Sequence, residues 1–185
     1  MKIATIGRGK IGGGLADLWE KAGHEVTRLG HEGGDVSEVE VVLIAVPGGA
    51  IQAALEGVTG LEGKTAIDAT NLHGGTMPPV GHPSNAEYVK SVTGGPTAKA
   101  WNINWALLYD RIDEASTPPG DLWCGDEEAR AAVETLHHDA GFDPICAGPL
   151  ANAGKQEAIT DLIFAIANEG GMGPYFYKFA APPQF

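Results

Sequence analysis

Short apolar runs alternate along this chain with longer stretches in which apolar side chains recur every three or four positions. The first pattern predicts buried strands and the second amphipathic helices. Strands are expected at Lys2–Ile6, Glu25–Leu29, Val39–Val46, Lys64–Ala69, Thr97–Trp101, Asp121–Cys124 and Asp143–Ala147. Helices are expected over 11–22, 50–57, 85–92, 126–138 and 152–168. The first carries Ile11, Leu15, Leu18, Trp19 and Ala22 on one face, and the last carries Ile159, Leu162, Ile163 and Ile166 on one side. Ser84 with Glu87 makes a capping box for the third helix, and Asp126 stands where the fourth needs a cap. Residues 72–83, rich in Gly, Pro and His, read as loop. Strand and helix in alternation build an α/β, doubly wound, mainly parallel sheet with helices on its faces. Val39–Val46 is the most apolar strand and belongs near the middle.

The first strand runs directly into Gly7-Arg8-Gly9-Lys10-Ile11-Gly12, a G-x-G-x-x-G loop that opens a helix and is followed by a second strand. Each glycine has a physical task there: a tight turn, close approach of backbone to a pyrophosphate, and close packing of helix on strand. Free N–H groups at the helix start favour an anion. The whole strand–loop–helix–strand context predicts a Rossmann-type dinucleotide site. Only about ten residues, 30–39, join the second strand to the third. That leaves no room for a further helix and strand, so the next strand is missing or vestigial and the second strand becomes an edge near the adenine pocket.

The strand exits supply the candidate cofactor contacts. After the second strand the chain reads Arg28-Leu-Gly-His31-Glu32. Arg8, Arg28 and His31 at one corner suit a 2′-phosphate and hence NADP; Glu32 is the opposing feature, because a carboxylate there would bind a ribose hydroxyl and select NAD. Val46, Pro47 and Gly48 end a central strand where backbone can approach the pyrophosphate and ribose. Thr70 and Asn71 close the next, and Asn71 offers both a donor and an acceptor. His73 follows in the loop as the one candidate proton donor near this edge. Lys99 is either a structural ion-pair partner or an anion binder, and Asn102 would finish the cleft wall. Trp101 and Trp105 suit core packing better than stacking on a ligand.

Composition narrows the classes. The chain has 185 residues, enough for one domain with a full core: a sheet core over 1–150, then a C-terminal helix and tail over 151–185. A net charge of −12 argues against a nucleic-acid partner. No apolar run is long enough to span a membrane, and the first strand begins where a signal peptide would lie, so a cytoplasmic protein is expected. The two cysteines, Cys124 and Cys146, fall in predicted strands without metal or C-x-x-C spacing and are expected as reduced, buried thiols. No Ser–His–Asp set, nucleophilic cysteine or metal cluster emerges. Tyr175, Phe176, Tyr177, Phe179 and Phe185 crowd an irregular tail, which is expected to pack back on its own domain or, with the last helix, against a second copy in a homodimer.

Taken in order and spacing, Gly7–Gly12, Val41-Val-Leu-Ile-Ala-Val-Pro47, Ile67-Asp-Ala-Thr-Asn71, Ala98-Lys-Ala-Trp-Asn102, Trp123-Cys-Gly-Asp126, Gly141-Phe-Asp-Pro144 and Ala147-Gly-Pro149 resemble the NADP-dependent oxidoreductase family typified by coenzyme-F420-dependent NADP reductase. The resemblance runs nearly end to end. It implies hydride exchange between NADP(H) and a deazaflavin of the F420 kind or a related ring partner, F420 being a candidate co-substrate. This chain departs from the family in its shortened 30–39 region and in Gly30-His31, where the family often shows Ser-Arg or Asn-Arg. Hydride exchange between two cofactors needs little acid–base help, which suits the lack of a conspicuous catalytic set. Two other readings stay open. One is an NADP-dependent reductase of a small carbonyl or imine, with His73, His82 or Tyr109 as proton donor. The other is a dinucleotide-binding regulatory module without turnover.

Overall fold

The computed structural model describes residues 1–179 and 181. The chain builds β1 (Lys2–Ile6), α1 (Lys10–Lys21), β2 (Glu25–Leu29), β3 (Gly34–Asp35), β4 (Val41–Ile44), α2 (Ile51–Glu56), β5 (Val58–Thr59), β6 (Thr65–Asp68), α3 (Asn85–Thr93), β7 (Thr97–Lys99), β8 (Gly120–Gly125), α4 (Arg130–Asp139), β9 (Asp143–Cys146) and α5 (Ala153–Asn168). Seven strands form one sheet in the order β2-β1-β4-β6-β7-β8-β9. All pairs are parallel except β7 with β8. The expected α/β doubly wound architecture is therefore present. β4 lies inside the sheet and all four of its residues are buried, as its apolar run requires. β2 is an edge. The 30–39 region contributes only the two-residue β3, which pairs with β5 outside the main sheet.

Two apolar layers sandwich the sheet. One packs Leu15 and Trp19 of α1 and Val133 and Leu136 of α4 against Ile3, Leu43 and Ile67. The other packs Ile51 and Leu55 of α2 and Val89 of α3 against Ala4, Val42 and Ile44. Alternation along β1 and β4 sends successive side chains to opposite layers. Ser84 caps α3 by accepting the Glu87 N–H at 3.2 Å.

Several expectations are corrected by packing. Asp126 does not cap the fourth helix. Its carboxylate instead takes Lys90 Nζ at 2.7 Å and the Thr97 N–H at 2.9 Å, tying α3 to β7. A 3₁₀ stretch at Ala106–Glu114, unpredicted by periodicity, covers α1. α5 turns Gln156, Glu157 and Thr160 inward, while Leu162 and Phe164 stay 58% and 40% exposed. The reason is a polar partner set waiting beneath the helix, described below. Cys124 is buried, and loss of hydration raises its thiol to about 12; Cys146 is exposed, and neither is in a disulfide. The tail packs on its own domain as far as it is described: Phe176 joins the core, and Tyr177 accepts the Gly120 N–H through its carbonyl at 2.7 Å. Phe185 lies outside the described residues. No described helix is long and apolar enough to cross a membrane.

Candidate active site

Two depressions meet at the carboxyl ends of β1, β4 and β6. The first is a groove of about 380 Å³. Gly9, Lys10 and Ile11 line it after β1; Ala45, Val46, Pro47, Gly48 and Gly49 after β4; Ala69, Asn71, His73 and Thr76 after β6. The second is a chamber of about 260 Å³ formed by Asn102–Leu107 after β7 and by Thr160, Ile163 and Phe164 of α5. Lys10, Ile11, Asn71 and His73 line both. The groove and chamber are thus one bipartite cleft with a shared waist.

The glycine loop has the geometry its sequence implies. Gly7 adopts φ +103°, and a Cβ there would strike the Ala45 carbonyl. A Cβ on Gly12 would overlap the Gly7 carbonyl, so α1 can sit this close to β1 only with glycine. Nothing lies within 4 Å of where a Gly9 Cβ would be, so that glycine leaves open space over the groove. Gly9 is the N-cap of α1, no side chain caps it, and no acidic residue occupies the first turn. The start of the helix therefore keeps free donors and an uncompensated positive dipole end. These features fit the pyrophosphate of a dinucleotide.

At the rim, Arg8 Nη1 lies 3.6 Å from Glu32 Oε1, and His31 Nδ1 lies 3.4 Å from Glu32 Oε2. The Glu32 carboxyl is held below its ordinary value, first by its own backbone N–H and then by the charges of Arg8 and His31. Arg28, grouped with them on sequence grounds, points elsewhere. Its guanidinium bonds Glu20 at 2.5 Å and Asp17 at 2.6 Å on α1. It is a clasp between β2 and α1, turned away from Arg8 and His31.

Behind the groove lies a buried polar network that composition and periodicity did not reveal. Lys99, fully buried, donates to Asp68 Oδ2 at 2.7 Å, the Thr70 carbonyl at 2.5 Å and Glu157 Oε1 at 3.0 Å. Lys99 is therefore an ion-pair hub and not a ligand binder. Burial pushes the Glu157 carboxyl up, against the pull of Lys99. Asn85 of α3 donates to Thr70 Oγ1 at 2.8 Å and to the Gly48 carbonyl at 3.3 Å, and its N–H reaches Glu157 at 3.2 Å. Thr70 thus sits behind the groove wall rather than in it. A second set joins the waist to α5. Asn71 and Asn102 bond reciprocally, Asn71 Nδ2 to the Asn102 carbonyl at 2.5 Å and Asn102 Nδ2 to Asn71 Oδ1 at 2.9 Å. Thr160 donates to Asn71 Oδ1 at 3.0 Å, and Gln156 to Asn102 Oδ1 at 2.9 Å. Asn71 is consequently held in one orientation at the point where groove and chamber meet.

The β7 exit needs one strained residue. Trp101 has φ +54°, a left-handed conformation that costs a bulky residue about 1–3 kcal/mol. Trp101 is buried in the core, whereas Trp105 lines the chamber with its ring edge-on to Phe164 at 4.9 Å. His73, exposed at the waist, meets Phe164 edge-on at 5.4 Å. The other candidate donors lie away from the cleft. His82 packs on Tyr88, and the Tyr109 ring is buried against Phe142, its hydroxyl driven well above its ordinary value by burial.

No family model matches the chain, and no curated protein matches its sequence. Solved structures do. One is a protein from Arthrobacter sp. fb24 provisionally named an F420-dependent NADP reductase, with TM-score 0.79 and 24% identity over 98% of this chain and 100% of the other. Another is the hypothetical protein SMa0349 from Sinorhizobium meliloti, with TM-score 0.64 and 23% identity over 83% and 86%. A third is the reductive aminase from Aspergillus terreus in complex with NADPH and ethyl levulinate, with TM-score 0.64 and 17% identity over 92% of this chain and 60% of that one. The chain therefore spans about three-fifths of the aminase's length. At these identities the likeness establishes the fold: a doubly wound, mainly parallel α/β sheet of the Rossmann type.

Proposed function

We propose that this chain is an NADP(H)-dependent oxidoreductase. NADP(H) would lie in the groove, an organic hydride acceptor or donor in the chamber, and a deazaflavin of the F420 type would be that partner. The observation that carries this reading is the shared waist: Lys10, Ile11, Asn71 and His73 line both halves, so two ligands bound in them would meet. When bound, the nicotinamide supplies or accepts the hydride. The protein's part is to hold the pyrophosphate on the Gly9–Gly12 turn, brace the ribose and carboxamide against Val46–Gly48 and Asn71, and exclude water with Trp105, Ile163 and Phe164. Arg8 and His31 would bind the 2′-phosphate after displacing Glu32. The NADPH in the reductive aminase structure and the name of the Arthrobacter protein support the cofactor and the acceptor respectively.

Mixing pure protein with NADPH and following loss of the reduced-nicotinamide absorbance, with and without oxidised F420, tests it. Oxidation that depends on F420 is the expected result. A second reading, reduction of a small carbonyl or imine, is favoured by His73, which with Lys10 brings a titratable donor to the waist. It predicts turnover with such substrates and none with F420. NADPH binding without any turnover would instead leave a regulatory module. We also propose a homodimer to which α5, through the exposed Leu162, and the aromatic tail contribute; a monomeric mass by light scattering at tens of micromolar would remove it.

A further inference from the structure

The loop leaving β7 forms one wall of the chamber through Asn102, Asn104, Trp105 and Leu107. It is held from behind by groups that line neither half of the cleft. The hub is Asp121, fully buried in β8. Its Oδ2 accepts the Trp101 N–H at 2.9 Å and faces His137 Nε2 at 2.8 Å. Its Oδ1 accepts Asn104 Nδ2 at 2.6 Å and the Tyr177 hydroxyl at 3.2 Å. His137 Nδ1 faces the Val133 carbonyl at 2.7 Å, so both ring nitrogens look at acceptors. The same ring lies under Trp101, with centroids 4.1 Å apart and planes 15° from parallel. Four donors saturate the carboxylate and hold the backbone of Trp101 in its left-handed turn.

Tyr177 brings the tail into this clamp. Its hydroxyl also accepts the Leu122 N–H at 3.1 Å, so donor and acceptor capacity are both used. Tyr175 donates to the Ile163 carbonyl at 3.3 Å, and its ring stands 6.5 Å from that of Trp105. The tail therefore touches the chamber wall from outside at two points, through Asn104 by way of Asp121 and through Trp105 directly.

We propose that Asp121 and Tyr177 are positioning residues for the chamber, so that the C-terminal tail sets the shape of the acceptor site without touching acceptor or cofactor. This rests on the reading of the chamber as the acceptor site. Without the Tyr177 hydroxyl, Asp121 loses one of its four donors and its tie to the tail, and the carboxylate gains freedom to shift together with the Asn104–Trp105 segment it holds.

The test uses the full-length chain labelled with 5-fluorotryptophan, as native protein and as Tyr177→Phe, with Asp121→Asn as a second variant where it folds. Fluorine NMR reads the chamber wall directly, each tryptophan signal being assigned by its Trp→Phe variant. The Trp105 signal is expected to shift or broaden in Tyr177→Phe, while NADPH affinity by calorimetry stays within twofold of native. With oxidised F420 or 1-pyrroline as acceptor, whichever the native protein turns over, KM should rise by about three- to tenfold, the scale of one lost hydrogen bond, with kcat changing less. An unchanged Trp105 signal overturns the proposal, as does a parallel loss of NADPH affinity. If the native protein turns over neither acceptor, the functional reading fails, and the fluorine signal still decides the clamp.

Discussion

The two halves of the cleft are built by opposite means. On the groove side, side chains are withdrawn: Gly7, Gly9, Gly12 and Gly48 let main chain come close to main chain or leave space above it. On the chamber side, side chains do the construction, through Asn71–Asn102–Gln156–Thr160, a network that the Lys99 ion-pair hub continues behind the groove. A site of bare backbone is rigid by steric exclusion and tolerates no added atoms. A site of buried polar side chains is rigid only while every partner is present.

The comparison can be broken at each end. Lys99→Met should have the largest effect, because it strands Asp68 and Glu157 together without a cation. Breaking one partner from a buried ion pair costs about 3–5 kcal/mol, which urea unfolding would register; a variant as stable as native would refute the hub. Gly9→Val should do the reverse. A Cβ at this position meets nothing within 4 Å, so the variant should fold with at most a small loss of stability at the α1 N-cap, while NADPH affinity measured by calorimetry falls on the order of a hundredfold, about 2.7 kcal/mol. Undiminished binding by the folded variant would remove the pyrophosphate from this loop.

Arg8→Ala sharpens the cofactor side. Loss of a charge-assisted bond should weaken NADP by about 1.5–3 kcal/mol and leave NAD nearly unchanged. Arg28→Ala, whose guanidinium is committed to Asp17 and Glu20, should leave both affinities alone. Native protein that prefers NAD would instead promote Glu32 to the ribose ligand.

The smallest effect is a pH slope. The Glu157 carboxyl is raised in the folded state, so the native protein binds the extra proton between the ordinary carboxylate value and the raised one. Its contribution to stability is complete below the unfolded value and is lost as pH rises through the folded one. Glu157→Gln should therefore be less stable than native at acid pH relative to its standing at neutral pH. Parallel stability curves for the two proteins would sink this assignment.

The backbone half was legible because its signal is local. G-x-G-x-x-G, the apolar β4 run and the Ser84 cap each lie within a few residues, and each appears where the pattern places it. The side-chain half links residues far apart in sequence: Asn85 to Glu157 spans 72 positions and Lys99 to Glu157 spans 58. Periodicity therefore marked only an apolar side of α5, whereas Gln156, Glu157 and Thr160 hold the partners beneath. Asp126 carried a cap signature that a nearer lysine and backbone N–H outbid. Arg28 had the right distance from the glycines, but its direction was set by two α1 carboxylates that sequence spacing does not connect to it.

That clasp bears on a different property of the molecule. β2 ends the sheet, so a row of its backbone donors and acceptors lies where a strand from another chain can add. β2 carries Arg28, paired with Asp17 and Glu20 of α1, and an exposed Glu25. An intruding strand would have to strip water from all of them to align. The arginine that first looked like part of the cofactor pocket is thus one of the charges borne by the sheet's edge strand, a feature that disfavours edge-to-edge pairing.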